Sequence, residues 1–398
     1  MRQLQTQEIK AVWETQPDCF PDFLAENADL FPHITPAQKK ENEALVQDFS
    51  QKMQKKLRQK PKDKAAQDAL EQELEADLME LLEKEKILSL YNWMDRQQLE
   101  AFKREAKHFT NSVRAFDESL RPAQIWQTLR NYFIYAMILD MQGKEQHAGD
   151  PILAYSLLYP YTDNYIDDPR ITRQDKERYN RMIASKLRDE AVTPHNALEE
   201  KTCRLLDMIL TAYEGSARKK IMETLLELLE AQNNSIRQQK TPLTEAQILE
   251  ISIRKGSTSV LADYLFAATD WREYEENFYL KFGFLLQLVD DLQDIEEDRN
   301  AGSQTLMTGA ESRQQLEQYT NRLLWFSWHV IRDFEPVNPG LKGFVLKHCV
   351  EISLLTAAAN QQFFSREYLK ALETYLPFSL DFLKKMKKQM LQSRQKMS

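Results

Sequence analysis

Glycine is scarce in this 398-residue chain, at nine residues, proline is limited to fourteen, and runs of β-branched residues hardly occur. Strands and tight turns draw on those residue types, so their shortage excludes a β-rich architecture and predicts an almost wholly α-helical protein. Cysteine is rare too. Cys19, Cys203 and Cys349 are odd in number and far apart, which argues against a disulfide framework and suits a reducing, cytoplasmic setting. Nowhere does an apolar run approach the ~20 residues that span a bilayer. The opening MRQLQTQEIKAVWE lacks the apolar stretch of a secretory signal. Positive charge is in deficit: 53 Lys and Arg stand against 61 Asp and Glu, for a formal net charge of −8. That balance argues against a nucleic-acid partner, since no basic stripe would offset phosphate repulsion. The expectation is a soluble cytoplasmic protein with no transmembrane segment.

What the chain does have is one dense acidic stretch inside FGFLLQLVDDLQDIEEDRNAGSQT, residues 282–305. Asp290, Asp291, Asp294, Glu296, Glu297 and Asp298 follow directly on an apolar helical run. On a helix, Asp290, Asp294 and Asp298 share one face over roughly 12 Å, and Gln287 lies on the same side. Carboxylates spaced i, i+4 repel unless a cation neutralises them. A solvated surface face is the ordinary explanation for such a column. Here Phe282, Leu285, Leu286 and Val289 make the preceding turns too apolar for a surface helix, and a hard divalent cation accounts for the column better.

Two further signals stand elsewhere. In the first, Tyr159-Pro-Tyr-Thr-Asp163-Asn164-Tyr165-Ile166-Asp167-Asp168-Pro169-Arg170, Asp163 and Asp167 lie one turn apart at the end of a predicted helix. That end carries a partial negative charge, an unfavourable place for carboxylates unless a cation is near. The second is Arg254-Lys255-Gly256-Ser257-Thr258-Ser259, within a helical pattern. A glycine there predicts a break that presents two cations and free N–H groups to an anion. A plain kink with surface lysine is the competing reading.

Periodicity divides the chain into an accessory N-terminal helical segment, residues 1–90, and a main domain, residues 91–398. In the first, Thr35 and Pro36 start a Lys-, Glu- and Gln-rich helical pair broken near Pro61, suited to accessory packing or to oligomer contacts such as a homodimer, with a flexible arm as the lesser reading. Helices are expected near 94–116, 123–141, 152–168, 198–213, 217–232, 245–270, 315–334 and 339–364. The basic C-terminal tail KKMKKQMLQSRQK suits a solvated terminus, with weak contact to an anionic membrane surface as the lesser reading.

Together these segments resemble the class I isoprenoid synthases, the all-α helical bundle of trans-prenyltransferases, squalene and phytoene synthases and class I terpene synthases. Gln287-Leu-Val-Asp290-Asp291-Leu-Gln-Asp294 resembles their second aspartate-rich motif, and Asp163 to Asp168 has the D-x-x-x-D-D spacing of the first. Lys255-Gly256-Ser257 is similar to the lysine-bearing helix break that touches diphosphate. The likeness spans roughly residues 90–370. It implies three Mg²⁺ ions bridging the acidic helices and a prenyl diphosphate substrate. Asp163 and Asp167 would hold one metal pair, and Asp290, Asp294 and Asp298 the third ion, with Asp168 and Asp291 supporting. Arg254, Lys255 and Gln287, then Arg170 and Arg299, would meet the diphosphate. Tyr155 and Tyr159 would line the cavity for the carbon chain, and Gly283 would leave it room.

The Arg-Arg-Gly and Gly-Gly-Lys elements of chain-elongating prenyltransferases are absent, and the first motif reads D-N-Y-I-D-D. The i, i+4, i+8 triplet is closer to terpene cyclases, and the whole most resembles the bacterial enzymes similar to tetraprenyl-β-curcumene synthase. The expected function is a Mg²⁺-dependent terpene synthase that releases diphosphate and cyclises or eliminates its carbocation in an apolar cavity. The alternatives are prenyl transfer, head-to-head or head-to-tail, and a non-catalytic helical scaffold with acidic surface stripes.

Overall fold

The computed structural model describes residues 3–57, 63–168, 170–268 and 270–397. Helix makes up 75% of the structure and no strand occurs among the described residues, so the chain is all-α. The helices run as α1 (Gln3–Glu14), α2 (Phe23–Glu26), α3 (Pro36–Leu57), α4 (Lys64–Lys84), α5 (Arg96–Phe116) and α6 (Pro122–Met141). Then come α7 (Asp150–Asp167), α8 (Arg173–Leu187), α9 (Ala197–Thr211), α10 (Gly215–Ser235), α11 (Arg237–Lys240) and α12 (Glu245–Ala267). The last six are α13 (Glu273–Gln293), α14 (Ile295–Ala301), α15 (Arg313–Arg332), α16 (Pro339–Ala359), α17 (Arg366–Glu373) and α18 (Leu380–Met397).

Local chemistry sets their ends. Thr244 caps α12 and Ser312 caps α15, each side chain accepting the backbone N–H three residues on. Pro122, Pro151 and Pro339 sit in the first turns of α6, α7 and α16, where a helix has no use for the missing N–H. Gly302 ends α14 in the left-handed conformation, at φ 69°.

The axis of the bundle is α12. Its residues from Ile248 to Ala267 are buried almost without interruption, and it packs against α13, α10, α6, α1 and α7. A helix apolar on every side has to sit at the centre of a bundle. On one flank, α15 and α16 cover α13. On the other, α8 packs on α10 and α9 packs on α7.

The first 35 residues pack into the main core. Trp13 is 1% exposed, its ring edge-on to Phe284 of α13 and Phe326 of α15 at 5.8 and 5.9 Å. Phe23 stacks on Trp328 at 4.7 Å. These aromatic anchors each bury a large apolar area and fix the N terminus into the main core. The peripheral element is α3 with α4, where ion pairs such as Lys56–Asp77 at 2.7 Å stand in for apolar packing. Pro61, the expected break between the pair, and the side chains of the basic tail beyond Gln389 lie outside the described residues. No helix among the described residues is long and apolar enough to cross a membrane.

Candidate functional site

The site begins with a contact between backbones. At Gly256, an added Cβ would meet Gly283 O at 2.4 Å and Gln287 Cβ at 2.7 Å; at Gly283 it would meet Gly256 O at 2.2 Å. Two glycines therefore let α12 and α13 touch main chain to main chain. Two sequence expectations need correcting here. Helix α12 runs unbroken through Gly256, because the glycine serves this crossing rather than a kink. Gly283 leaves no room for a substrate chain either, since Gly256 fills the space above it. Ser257 fastens the crossing by donating to Leu280 O at 2.6 Å.

The crossing brings Lys255 toward the acidic end of α13. Asp290 and Asp294 close α13 and Asp298 sits in α14, with the chain turning at Asp294 between them. The turn preserves the helical spacing, as Asp294 N–H donates to Asp290 O at 2.9 Å and Asp298 N–H to Asp294 O at 2.8 Å. Asp291 is 5% exposed and accepts from Gln287 Nε2 at 2.8 Å. Burial pushes its carboxyl up to about 7, against the opposing Gln287 hydrogen bond, and repulsion from Asp290 adds to the rise. Asp294 and Asp298 are each pushed up to about 6, first by burial and then by the charge of Asp290. Lys255 offsets part of the rise at Asp291 and Asp298, and Arg130 part of that at Asp294. Glu296 faces away, paired with Lys387 at 2.7 Å.

The first acidic segment closes α7. Asp163 accepts from Gln232 Nε2 of α10 at 3.2 Å, and Asn164 donates to Gln127 Oε1 of α6 at 3.4 Å. One turn along α6, Arg130 Nη2 stands 3.5 Å from Asp290 Oδ1. The Gln127–Arg130 turn thus borders both acidic segments, at one end of the bundle. Asp168 is engaged separately: Arg170 reaches its two oxygens through Nε at 2.9 Å and Nη2 at 2.6 Å, and its carboxyl falls to about 2 through those bonds. The side chain of Asp167 and residue Pro169 lie outside the described residues.

The expected diphosphate ligands do not all converge. Lys255 joins the acidic group, whereas Arg254 pairs with Glu230 at 3.2 Å. Arg170 is held by Asp168, and Arg299 lies over the Phe363 ring at 4.5 Å. Below Asp163, Tyr155 and Tyr159 line an apolar cavity with Leu225, Leu228 and Leu229. Their hydroxyls bond one another at 3.0 Å, and Tyr159 bonds Ser259 Oγ at 2.6 Å. The cavity measures about 40 Å³ here, below the ~300 Å³ at which ligand pockets usually begin.

Sequence reading passed over Arg130, Gln232 and Asp263. Asp263 is 0% exposed; it accepts from Asn131 Nδ2 at 3.0 Å, and its second oxygen has no partner. Burial raises its carboxyl well above the carboxylate range. Asp263 carried a signal in isolation, as a lone charge within otherwise apolar, buried turns of α12; Arg130 carried none, since it is exposed beside the polar Gln127, Thr128 and Asn131 of α6.

For a metal, the donor chemistry suits Mg²⁺. Hard oxygens crowd together, and burial followed by the charge of neighbouring carboxylates raises three of them. No three His, Cys, Asp or Glu side chains among the described residues gather tightly enough to form a closed metal cage. Mg²⁺ seldom needs one, as it is held by one or two carboxylates, substrate phosphates and its own waters. No protein-family model matches the chain, and no curated protein is similar to it in sequence. Its function is therefore argued from these residues.

Proposed function

We propose that this chain is a class I type isoprenoid synthase that ionises a single prenyl diphosphate, most simply a terpene synthase. The observation that carries the reading is the group of buried carboxyls at Asp291, Asp294 and Asp298, repelled by the neighbouring charge of Asp290, with Lys255 and Arg130 beside them and Asp163 across α6. Carboxyls so placed favour a cation strongly, and a cation so placed favours a polyanionic substrate. Asp163 and Asp167 would hold Mg²⁺ on one side, and Asp290, Asp294 and Asp298 on the other. When bound, Mg²⁺ neutralises diphosphate charge and acts as a Lewis acid toward its oxygens.

The chain's own residues supply the rest. Lys255 and Arg130 meet the charge that grows on the diphosphate as the allylic C–O bond breaks and the bonding pair leaves with oxygen. Tyr155, Tyr159 and the leucines beneath them keep water from the allylic cation, and the aromatic faces stabilise it. A double bond of the same chain attacks the cation, and transfer of a proton from the cyclised cation to the released diphosphate ends the reaction. The cavity has to widen from about 40 Å³ to admit any prenyl chain, so substrate entry would part α7 from α10.

The test is incubation of the full chain with C10 to C25 prenyl diphosphates and Mg²⁺, assayed for released diphosphate and for hydrocarbon or alcohol products. Release with at least one substrate, abolished by chelation, is expected. No release with any of them overturns the proposal in favour of a helical scaffold. Labelled isopentenyl diphosphate appearing in a longer product would move the reading to prenyl transfer.

A further inference from the structure

Between α8 and α10 lies a cleft of about 860 Å³, outside the acidic site and within the ~300–1,000 Å³ range of ligand pockets. Arg173, Lys176, Arg181 and Arg188 line it along α8, and Arg237 closes it from α11. On α8, Arg173, Lys176 and Arg181 fall on one side of the helix, and Arg188 follows directly at its C-terminal end. Three carboxylates share the lining, but Glu177 pairs with Arg173 at 2.6 Å and Glu230 turns to Arg254 at 3.2 Å. Glu227 is the third carboxylate, and it stands in the same lining as Lys176, Arg181, Arg188 and Arg237. In a chain whose formal net charge is −8, five cations against three carboxylates in one cleft are a local reversal of sign.

The floor adds a second, independent feature. Asn180 is 9% exposed; its amide nitrogen donates to Asn233, and its amide oxygen has no hydrogen-bond partner. A buried amide oxygen left unpaired is destabilising, and a ligand hydroxyl would relieve it. Arginine forks match phosphate oxygens in pairs, and several of them along one wall suit a dianion better than a carboxylate.

We propose that the α8–α10 cleft is a ligand site for a phosphate monoester carrying hydroxyl groups. Phosphate oxygens lie among Arg181, Arg188 and Arg237, and a hydroxyl donates to Asn180. The inference is independent of the prenyl diphosphate reading. The ligand comes either from solution, as a polyol phosphate, or from a membrane, as a phosphorylated lipid headgroup.

The experiment uses the full chain in Mg²⁺-free buffer, so that the acidic helix ends take no part. Glycerol 3-phosphate is titrated calorimetrically, and vesicles of phosphatidylcholine with and without phosphatidylinositol 4-phosphate are co-sedimented. Binding in the first arm identifies a soluble ligand and binding in the second alone a lipid; either supports the site. The double variant Arg181→Glu/Arg237→Glu, both positions exposed, is expected to weaken binding at least tenfold. The milder Arg181→Gln/Arg237→Gln should weaken it at least threefold, and Asp290→Asn should leave it unchanged. Absence of binding in both arms, or binding that survives charge reversal with the helical circular dichroism intact, overturns the proposal.

Discussion

The two acidic segments look alike as strings, yet the fold treats them in opposite ways. At the end of α7, neighbours satisfy the carboxylates: Gln232 donates to Asp163, and Arg170 grips Asp168 so firmly that its carboxyl falls to about 2. At the junction of α13 and α14, burial and mutual repulsion push Asp291 up to about 7 and Asp294 and Asp298 up to about 6. Unrelieved charge is therefore stored at the second segment. Helical spacing of carboxylates does not by itself tell a satisfied cluster from a frustrated one. The difference lies in which donors the surrounding helices deliver.

If that contrast governs function, substitutions at the two ends should differ most in activity. Asp290→Ala should lower diphosphate release at least 10³-fold, or about 4 kcal/mol of barrier, with the fold intact. Asp168→Ala, which removes only a partner of the exposed Arg170, should cost less than about tenfold. Equal losses in a release assay would break the comparison.

Next in size is the glycine crossing, which serves the second end alone. Gly256→Ala forces a Cβ against the Gly283 carbonyl and should cost about 3 kcal/mol of stability, read by thermal or denaturant unfolding. It should also move Lys255 away from Asp291 and Asp298, and leave the Arg170–Asp168 pair as it is. A neutral outcome would show that the helices can part without loss.

The smallest expected effect is on pH dependence in the metal-free protein. The folded Asp291 carboxyl titrates near 7 and an unfolded one near ~3.9, so between those values the folded chain holds a proton that the unfolded chain has released. Stability from this group is full at about pH 4 and declines as pH rises to about 7. Asp291→Asn keeps an acceptor for Gln287 and should raise stability at pH 8 by about 2 kcal/mol while flattening the slope. Millimolar Mg²⁺ should flatten it as well. Asp168 runs the other way: its depressed carboxyl stabilises the fold above about pH 4, and that contribution is lost on acidification toward pH 2. A pH profile unchanged by Asp291→Asn would show the second end to be no more frustrated than the first.

By itself the sequence determined the all-α class and most helix positions, because caps, prolines and apolar periodicity act over a few residues. Pro122, Thr244 and Ser312 start their helices as local rules require, and the helices expected at 94–116, 123–141 and 198–213 match α5, α6 and α9 to within a turn. It also marked both acidic segments and the Arg254–Ser259 stretch as unusual. Tertiary structure alone decided what those features meet. Gly256 read as a break because a glycine in a helix costs local stability; only α13 lying across it shows that the missing Cβ permits contact. Arg254, Arg170 and Arg299 read as anion ligands until Glu230, Asp168 and Phe363 claimed them. Trp13 and Phe23, in a stretch that reads as peripheral, are core residues because α13 and α15 offer them aromatic partners more than 260 positions away in the chain. The cations of α8 became a cleft only once α10 packed beside them. Helix formation is local, whereas charge pairing and burial depend on neighbours that only the folded chain brings together.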